Sequence, residues 1–397
     1  MVLGVTGGIA AYKSVQVARD LTRLGAEVDV VMTAGAGRFV RPLSFEGVTG
    51  RPTLTELFST DGAAQHIRLG YDADVVCVAP ATADLIARAA QGRANDLLST
   101  TLLATRAPVL ISPAMNDRML AHPQTQRNLT HLHEALGYAI VGPASGPLAF
   151  AEGEGPGRML EPGDIVQEIG RALGTDPAFT GRKVLITAGP TREPLDPVRY
   201  LGNRSSGRMG FALAEAAWLR GADVCVVAGP VTAPAPYGPE IVLVETALEM
   251  HAAVGERIGE TDLNIFAAAV ADFRPTDPSE DKLKRAEAGP EFQIGLTANP
   301  DIAAETQSLR QGGAVTVGFA LETSDLVENA RRKLDQKGFD LIVANDATDP
   351  LAGFDVDTNV ATLVWREGDP EALPTMTKHE LAERILQSVA ALLGAGG

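Results

Sequence analysis

The chain uses one plan twice. VLGVTGG at residues 2–8 is an apolar run ending in glycines, a helical pattern follows over about 11–24, and LGAEVDVVMT then opens a new strand. KVLITAG at 183–189 starts the second copy, followed by a long loop, a helical pattern over 211–220 and RGADVCVVAG. Strand, glycine loop, helix, strand is the βαβ unit, whose two strands lie parallel. Further apolar runs at 74–79, 108–112, 263–268, 315–320, 341–344 and 361–364 are mostly without the alternation of half-exposed strands, and read as central strands covered on both faces. The expected class is α/β with a parallel sheet in each half, and one plan used twice does not require duplication.

A length of 397 residues suits two or three domains. The turn formers in GTDPAFTGR mark the boundary, giving domains at 1–174 and 183–397 with a linker at 175–182. The 45% hydrophobic and 21% charged content is that of a soluble globular protein, and the strand-like start is unlike a signal peptide, so a cytoplasmic location is expected. Fifty acidic against 34 basic side chains give a net charge of -16, which repels nucleic acid and anionic membranes. Small molecules are the expected partners. Cys77 and Cys225 each lie in an apolar run without zinc-type spacing, and are expected to be buried, reduced thiols.

Against that acidic background, GPTREPLDPVRYLGNRSSGRMG at 189–210 gathers Arg192, Arg199, Arg204 and Arg208. The segment joins a strand to a helix, at the edge where doubly wound sheets bind ligands, and is several times longer than the usual ~2–6 residues. It is expected to be an irregular, anion-holding loop, with an ordinary surface loop as the other reading. In the first half, Gly4, Gly7 and Gly8 allow a phosphate to approach the start of a helix, but the spacing is not G-x-G-x-x-G and does not indicate a nicotinamide cofactor. The polar, proline-marked segment 274–293 reads as a mobile lid or flap.

HIRLG from His66, APATADLIARAAQGRANDLLST from Ala79 and SPAMNDRM from Ser112, together with the opening loop, resemble the flavoprotein family of cysteine decarboxylases over nearly all of residues 1–170. The resemblance implies a flavodoxin-like domain binding FMN, with Thr6, Gly7, Gly8, Thr33, Ala79, Pro80, Ala81, Thr82, Ser112, Pro113, Ala114 and Met115 near the cofactor. It makes His66 the catalytic base, a role suited to a side chain that titrates near neutrality, and Asn116 the neutral anchor of the departing carboxylate. The family chemistry oxidises a cysteine thiol to a thioaldehyde, which serves as electron sink for loss of carbon dioxide. Two positions depart from the family pattern. Leu120 replaces a common tryptophan, and Ala151 stands where the segment before GPGRM usually carries a proton-donating cysteine. Glu152, Glu154 or water is then expected to give that proton.

From Lys183 onward the chain resembles phosphopantothenate–cysteine ligase, through ITAGPTREPLDPVRYLGNRSSGRMG, AAAVADFRP, KLKR, NPDI, VGFALET and ENARRKLDQKGFDLIVAND. The resemblance implies a Rossmann-like parallel-sheet domain in which CTP activates the carboxylate of 4'-phosphopantothenate and the cysteine amine displaces CMP. It assigns Asn203 and Arg199 to the acyl-cytidylate and Lys282 to closure on the triphosphate. It assigns Ala268, Asn299, Pro300, Asp301, Ile302, Phe319, Lys333 and Lys337 to CTP, with Phe319 against the cytosine. Asp272 ends a strand where it can meet a ribose or bind Mg2+, an ion that keeps most of its waters. Arg208 replaces a common lysine, keeping the charge with another geometry.

The two halves in this order match the bacterial bifunctional family that makes phosphopantetheine for coenzyme A, whose members form trimers through the flavin domain and dimers through the ligase domain. Two rival readings stay open at the level of sequence. One keeps the ligase with an oxidative-only or inactive flavin domain, because of Ala151, and the other is a flavin- or nucleotide-binding regulatory module.

Overall fold

A computed structural model describes residues 1–58, 64–149, 153–284, 293–322, 325–346 and 358–395. The chain folds as two compact units, Met1–Gly174 and Thr175–Gly397. Among the described residues no helix is long and apolar enough to cross a membrane. Ala151, Glu152 and part of the 274–293 segment lie outside the described residues.

The first unit is wound on β1 (Val2–Val5), β2 (Asp29–Met32), β3 (Val76–Ala81), β4 (Val109–Pro113) and β5 (Ala139–Ile140), all parallel in the order β2-β1-β3-β4-β5. This is the flavodoxin order, in which winding reverses between β1 and β3 and leaves a crevice at the carboxyl ends of those strands. Every residue of β1, β3 and β4 is buried, which requires helices on both faces and explains their unbroken apolar runs. Helix α1 (Ala11–Arg23) buries Ala11, Ser14, Val17, Ala18 and Leu21, at steps of three and four residues. The others are α2 (Pro42–Thr49), α3 (Gln65–Asp72), α4 (Ala83–Ala90), α5 (Leu97–Ala104), α6 (Asp117–Ala121), α7 (Pro123–Glu134) and α8 (Pro162–Gly174). Outside the sheet, β6 (Ala144–Pro147) and β7 (Glu154–Arg158) form an antiparallel hairpin. Cys77 is fully buried in β3, as expected.

The second unit holds an eight-stranded sheet. Its parallel strands, in chain order, are β8 (Lys183–Ala188), β11 (Asp223–Ala228), β12 (Glu240–Leu243), β13 (Leu263–Phe266), β16 (Val315–Glu322) and β17 (Leu341–Asp346). They run β12-β11-β8-β13-β16-β17 across the sheet, the Rossmann order with its switch point between β8 and β13. Two antiparallel strands, β19 (Ala361–Trp365) and β20 (Glu371–Ala372), extend the β17 side, so the 361–364 run is a strand but not a parallel one. Short pairs lie outside the sheet: β9 (Arg192–Pro194) with β10 (Tyr200–Gly202), β14 (Phe273–Pro275) with β15 (Leu296–Ala298), and β18 (Thr358–Asn359) with β21 (Met376–Thr377).

Strand alternation sorts the helices onto two faces. Val184, Ile186, Val226, Val317, Leu341 and Val343 share one core cluster with α9 (Arg208–Leu219) and the terminal helix α13 (Lys378–Ala395). Leu185 and Val227 face α10 (Ala247–Gly255) instead. The short α11 (Ile302–Glu305) follows β15, and Ile342 and Ala344 pack with Ala330 and Leu334 of α12 (Leu326–Lys337). Each large aliphatic side chain fully buried this way contributes about 1.5–3 kcal/mol before entropy is counted.

Three local readings need correction. The arginine stretch is not irregular throughout, because β9 and β10 make a hairpin inside it and α9 begins at Arg208. The 175–182 stretch is more than a tether. Phe179 is fully buried in the core of the second unit, with Arg220 stacked 5.9 Å above its ring. Cys225 is half-buried rather than buried, since β11 has only the short β12 beside it at the edge of the sheet.

Candidate active sites

In the first unit the loops leaving β1, β2, β3 and β4 meet at one edge. Thr6 follows β1 and is buried, and its hydroxyl donates to the Pro80 carbonyl at 2.7 Å while accepting the Thr82 amide at 3.1 Å. One side chain thereby joins the β1 and β3 loops across the switch point. Ser14 adds a second tie, donating to the Ala79 carbonyl at 2.6 Å. A Cβ on Gly7 would stand 2.8 Å from the Gly35 carbonyl carbon, so the β1 loop lies directly on the loop after β2, where the Thr33 hydroxyl accepts the Ala36 amide at 3.3 Å. Gly8 faces Thr82 and Pro80, and Thr82 caps α4 by accepting the Leu85 amide at 3.4 Å.

The β4 end is held from its other side. The amide of Ala114 donates to Ala81 at 3.1 Å, and that of Met115 donates to Gly157 in β7 at 3.0 Å. Gly157 has φ +135° and any Cβ there would collide with the Met115 carbonyl oxygen, so only glycine lets the hairpin cross at this point. Asn116 caps α6 with its side-chain oxygen, which accepts the Arg118 amide at 2.9 Å and leaves Nδ2 as the group with protons to give. Leu120 is buried in the core cluster, so its difference from the family tryptophan is one of packing.

Two buried polar atoms here have no hydrogen-bond partner among the described residues: Nδ1 of His66, in the first turn of α3, and Oγ of Ser112, near the end of β4. Buried polar groups are nearly always paired. The orphaned Oγ of Ser112, at the carboxyl end of the strand beside β3, fits a polar cofactor seated at the switch point. Thr6 is occupied by its two loop contacts and offers no free hydroxyl proton.

In the second unit a cavity of about 770 Å³ opens at the carboxyl edge of the sheet, across the β8/β13 switch point. Asn203, Ala268, Asp272, Asn299, Pro300, Asp301, Ile302, Phe319, Lys333 and Lys337 all line it. Five separate chain segments supply them. The Asn203 amide donates to the Val270 carbonyl at 2.8 Å, and Asn299 donates to the Ala271 carbonyl at 2.8 Å. Those bonds fasten the segment that carries Asp272 between the two asparagines; β13 ends at Phe266, so Asp272 lies in the connection to β14 and does not end a strand as the sequence suggested. Lys333 and Lys337 share one face of α12. The Lys337 ammonium pairs with Asp301 at 2.8 Å, and Arg310 closes the end of the helix by donating to the carbonyls of Lys337 and Gly338 at 3.0 and 2.9 Å. Burial pushes the Arg310 pKa down.

The four arginines of the loop divide. Arg204 and Arg208 line the cavity, whereas Arg192 stacks on Tyr200 with its guanidinium carbon 4.6 Å from the ring centroid. Arg199, expected beside Asn203 at the acyl-cytidylate, is not among the cavity-lining residues. Its Nε pairs with Asp196 at 3.1 Å and its guanidinium also donates to the Leu283 carbonyl. Burial pushes the Asp196 carboxyl up, but the amides of Val198, Arg199 and Leu283 and the Arg199 charge outweigh it and hold the pKa below the carboxylate range. Those amides lie 2.8, 2.7 and 3.2 Å from the carboxylate. Hairpin turns draw such local acid–arginine pairs together, which sequence spacing does not show. Lys282 is exposed, next to Leu283, and also lies outside the cavity wall.

Among the cavity residues that sequence reasoning missed are Asn345 near the end of β17, Asn359 in β18 and Lys378 at the start of α13. Asn345 closes the apolar run of a strand, a position that attracts function, whereas Asn359 and Lys378 carried no signal. Among the described residues no group of three His, Cys, Asp or Glu gathers to hold a metal ion. Two carboxylates, Asp272 and Asp301, line the cavity, and Asp301 is paired with Lys337.

Family comparison agrees with this division. Residues 1–174 match the family model described as Flavoprotein, and residues 179–393 match that described as DNA/pantothenate metabolism flavoprotein C-terminal domain. The chain is similar to the coenzyme A biosynthesis bifunctional protein CoaBC of Escherichia coli strain K12, 46% identical over 98% of this chain and 96% of that protein. It is similar also to the protein of the same name from Bacillus subtilis strain 168, 42% identical over 99% of this chain and 97% of that one. A crystallised C-terminal domain of a coenzyme A biosynthesis bifunctional protein is 36% identical, matching 55% of this chain and 100% of that one with a TM-score of 0.47.

Proposed function

We propose a division of labour along the chain from one premise: it belongs to the family of coenzyme A biosynthesis bifunctional proteins. The protein is an enzyme of coenzyme A biosynthesis, with a flavoprotein decarboxylase activity and a ligase activity. We assign the decarboxylase to residues 1–174 with FMN and the CTP-dependent ligase to 183–397 with Mg2+. The substrates in this reading are CTP, 4'-phosphopantothenate and cysteine, joined first and then decarboxylated to 4'-phosphopantetheine.

The observation that carries the ligase assignment is the cavity that gathers Asn203, Asp272, the 299–302 turn, Phe319, Lys333 and Lys337. As the substrate carboxylate attacks the α-phosphorus of CTP, the bond from that phosphorus to the oxygen bridging it to the β-phosphorus breaks, so charge accumulates on the departing pyrophosphate. Lys333 and Lys337 project from one helix face to meet such charge, and ligand phosphate replaces Asp301 as the partner of Lys337. Asn203, steadied on Val270, presents its amide to the carbonyl oxygen that gains negative charge as the cysteine amine attacks and CMP leaves. Lys282 approaches the phosphates from the adjoining segment, and Arg199 acts through Asp196 and Leu283 by shaping that approach.

In the first unit the residues that would hold the flavin are Gly7, Gly8, Thr33, 79–82 and 112–115, with Thr6 bracing the crevice. Bound FMN supplies the two-electron oxidation of the substrate thiol that prepares its carboxylate to leave. His66, whose buried Nδ1 has no partner among the described residues, takes the proton. Asn116 holds the carboxylate through Nδ2, a neutral donor that lets uncharged carbon dioxide depart without a stranded ion pair. Glu152, Glu154 or water returns a proton in place of the cysteine replaced by Ala151. A cytoplasmic oligomer, trimeric through the flavin unit and dimeric through the ligase unit, completes the reading.

Purified protein given 4'-phosphopantothenate, cysteine, CTP and magnesium should show flavin absorbance and release both pyrophosphate and carbon dioxide. His66→Asn should stop carbon dioxide alone, and Asn203→Asp should impair formation of phosphopantothenoylcysteine with release of CMP, while decarboxylation of supplied phosphopantothenoylcysteine continues. Loss of both activities in either variant would overturn the division of labour.

A further inference from the structure

Arg310 is a partly buried cation that the proposed reaction leaves unused. It follows the 3-10 turn Gln307–Leu309 and is not among the cavity-lining residues. Nη1 donates to the carbonyls of Lys337 and Gly338 at 3.0 and 2.9 Å, and Nη2 donates to the carbonyl of Ala303. The guanidinium carbon lies 5.7 Å from the ring centroid of Phe266 and 5.8 Å from that of Phe339, within reach of both aromatic faces. Ala303, Lys337, Phe266 and Phe339 all line the cavity, so Arg310 grips its wall from behind. Nε is buried with no partner among the described residues, and burial pushes the pKa of the group down. Both are penalties for keeping a guanidinium in this place. An apolar side chain would fill the space without them, so the reason for arginine lies in what its fork of donors spans. One arm of the fork ends on α11, just after the 299–302 turn, and the other on the last turn of α12, which carries Lys333 and Lys337.

Polar ties of two kinds join α11 to α12. One is the ion pair of the Lys337 ammonium with Asp301 at 2.8 Å, in which Asp301 also caps α11 by accepting the Ala304 amide at 3.2 Å. The other is Arg310, whose bonds all end on main-chain carbonyls. The two respond differently to an anion. A phosphate that takes the Lys337 ammonium dissolves the first tie. It does not compete for the second, because carbonyl oxygens offer an anion nothing and the guanidinium lies behind the wall. The packing also favours the second tie. Gly338 has φ +61°, and a Cβ there would collide with the Gln307 side-chain amide and stand 3.4 Å from Nη1 of Arg310, so the helix end lies as close to the 307–310 turn as glycine allows.

We propose that Arg310 is a positioning residue of the ligase, which holds α12 against α11 once phosphate has displaced Asp301 and so fixes where Lys333 and Lys337 meet the triphosphate. The inference rests on the reading of this cavity as a CTP site. Arg310 acts through the two lysines, so a nucleotide that lacks the β- and γ-phosphates gains little from it. Lysine is a poor substitute at this position, because it gathers its donors at one point and does not span both segments.

The test is equilibrium binding of CTP and of CMP by the full-length protein, with pyrophosphate release measured in parallel. Arg310→Met should weaken CTP binding tenfold or more and CMP binding less than threefold, and leave the KM for 4'-phosphopantothenate within twofold of wild type. Arg310→Lys, with the charge kept, should still lose at least threefold for CTP. In a Lys333→Met/Lys337→Met background, adding Arg310→Met should cost less than a further twofold, because residues that act as one unit are not additive. A general disturbance of the fold would instead weaken both nucleotides alike and persist in that background, and either result would overturn the proposal. Should Arg310→Met fail to fold, Arg310→Lys decides, and CTP binding equal to wild type there would overturn it. Wild-type protein that binds no CTP would sink the nucleotide reading and the proposal with it, whereas failure of the proposal alone leaves wild-type CTP binding intact.

Discussion

Gly210 offers a stringent test of what positions the ligase loop. It lies in the first turn of α9, where Arg208, Met209 and Gly210 all line the cavity. A Cβ added there would stand 2.5 Å from Ala188 Cβ and 3.1 Å from Ala188 Cα on β8. Carbon pairs rest at about 3.5–4.0 Å, so Gly210→Ala pushes the start of the helix outward by roughly 1 Å. Overpacking of this kind costs about 1–3 kcal/mol, and replacing a helical glycine by alanine returns about 1 kcal/mol. The net destabilisation is therefore about 0–2 kcal/mol, small enough for the variant to fold. A displacement of ~1 Å near the reacting groups can cost about 100-fold in rate. The expected result is a urea midpoint close to wild type, a ten- to hundredfold fall in kcat/KM for pyrophosphate release, and normal decarboxylation of supplied phosphopantothenoylcysteine. Ligation within twofold of wild type, with a raised urea midpoint, would refute the idea that contact between α9 and β8 sets the cavity rim.

Two further outcomes follow from burial and from capping. Burial pushes the Cys77 thiol up to about 12 and also raises Cys225, with Glu240 adding to the latter, so native protein at pH 8 should lose no Cys77 to iodoacetamide and alkylate Cys225 only slowly. Rapid modification of Cys77 by peptide mapping would contradict its place in β3. Burial raises the Asp96 carboxyl, but donation from Ser99 and the Arg88 charge outweigh it and leave the pKa lowered. A depressed folded value contributes stability that is complete above the unfolded value near 4, and that is lost as pH falls through the folded value. Asp96→Ala removes the cap of α5 as well, so it should cost about 1 kcal/mol at pH 7 and flatten the urea midpoint profile below pH 4. An acid limb identical to wild type would show that Asp96 is not a source of that loss.

Much of the fold could be read ahead of the structure, for a physical reason. Strands buried on both faces must be continuously apolar, and VCVA, VLIS, KVLITA and LIVA announce themselves that way. The crevices follow, because a parallel sheet wound both ways leaves its loops at one edge. What stayed hidden depends on pairing across the chain. The β9–β10 hairpin has three-residue strands with a proline, too short for any period, so the pairing of Arg199 with Asp196 could not be read ahead. Asn359 and Lys378 reach the cavity only because β18 pairs with β21, far from any motif. Asn345 was visible in LIVAND, but only the structure shows that its oxygen is buried with no partner among the described residues.

The grip on Leu283 also bears on how Lys282 can act. The Leu283 amide donates to Asp196 and its carbonyl accepts from Arg199, so the peptide unit on either side of that residue is held against the hairpin. The neighbouring Lys282 therefore has a fixed pivot, and in its proposed role the distance to a phosphate would be spanned by its four-carbon stem rather than by a swinging backbone. A short tether confines the ammonium to a small search volume and raises its effective concentration beside the ligand, and loosening Asp196 would dilute that charge without removing it.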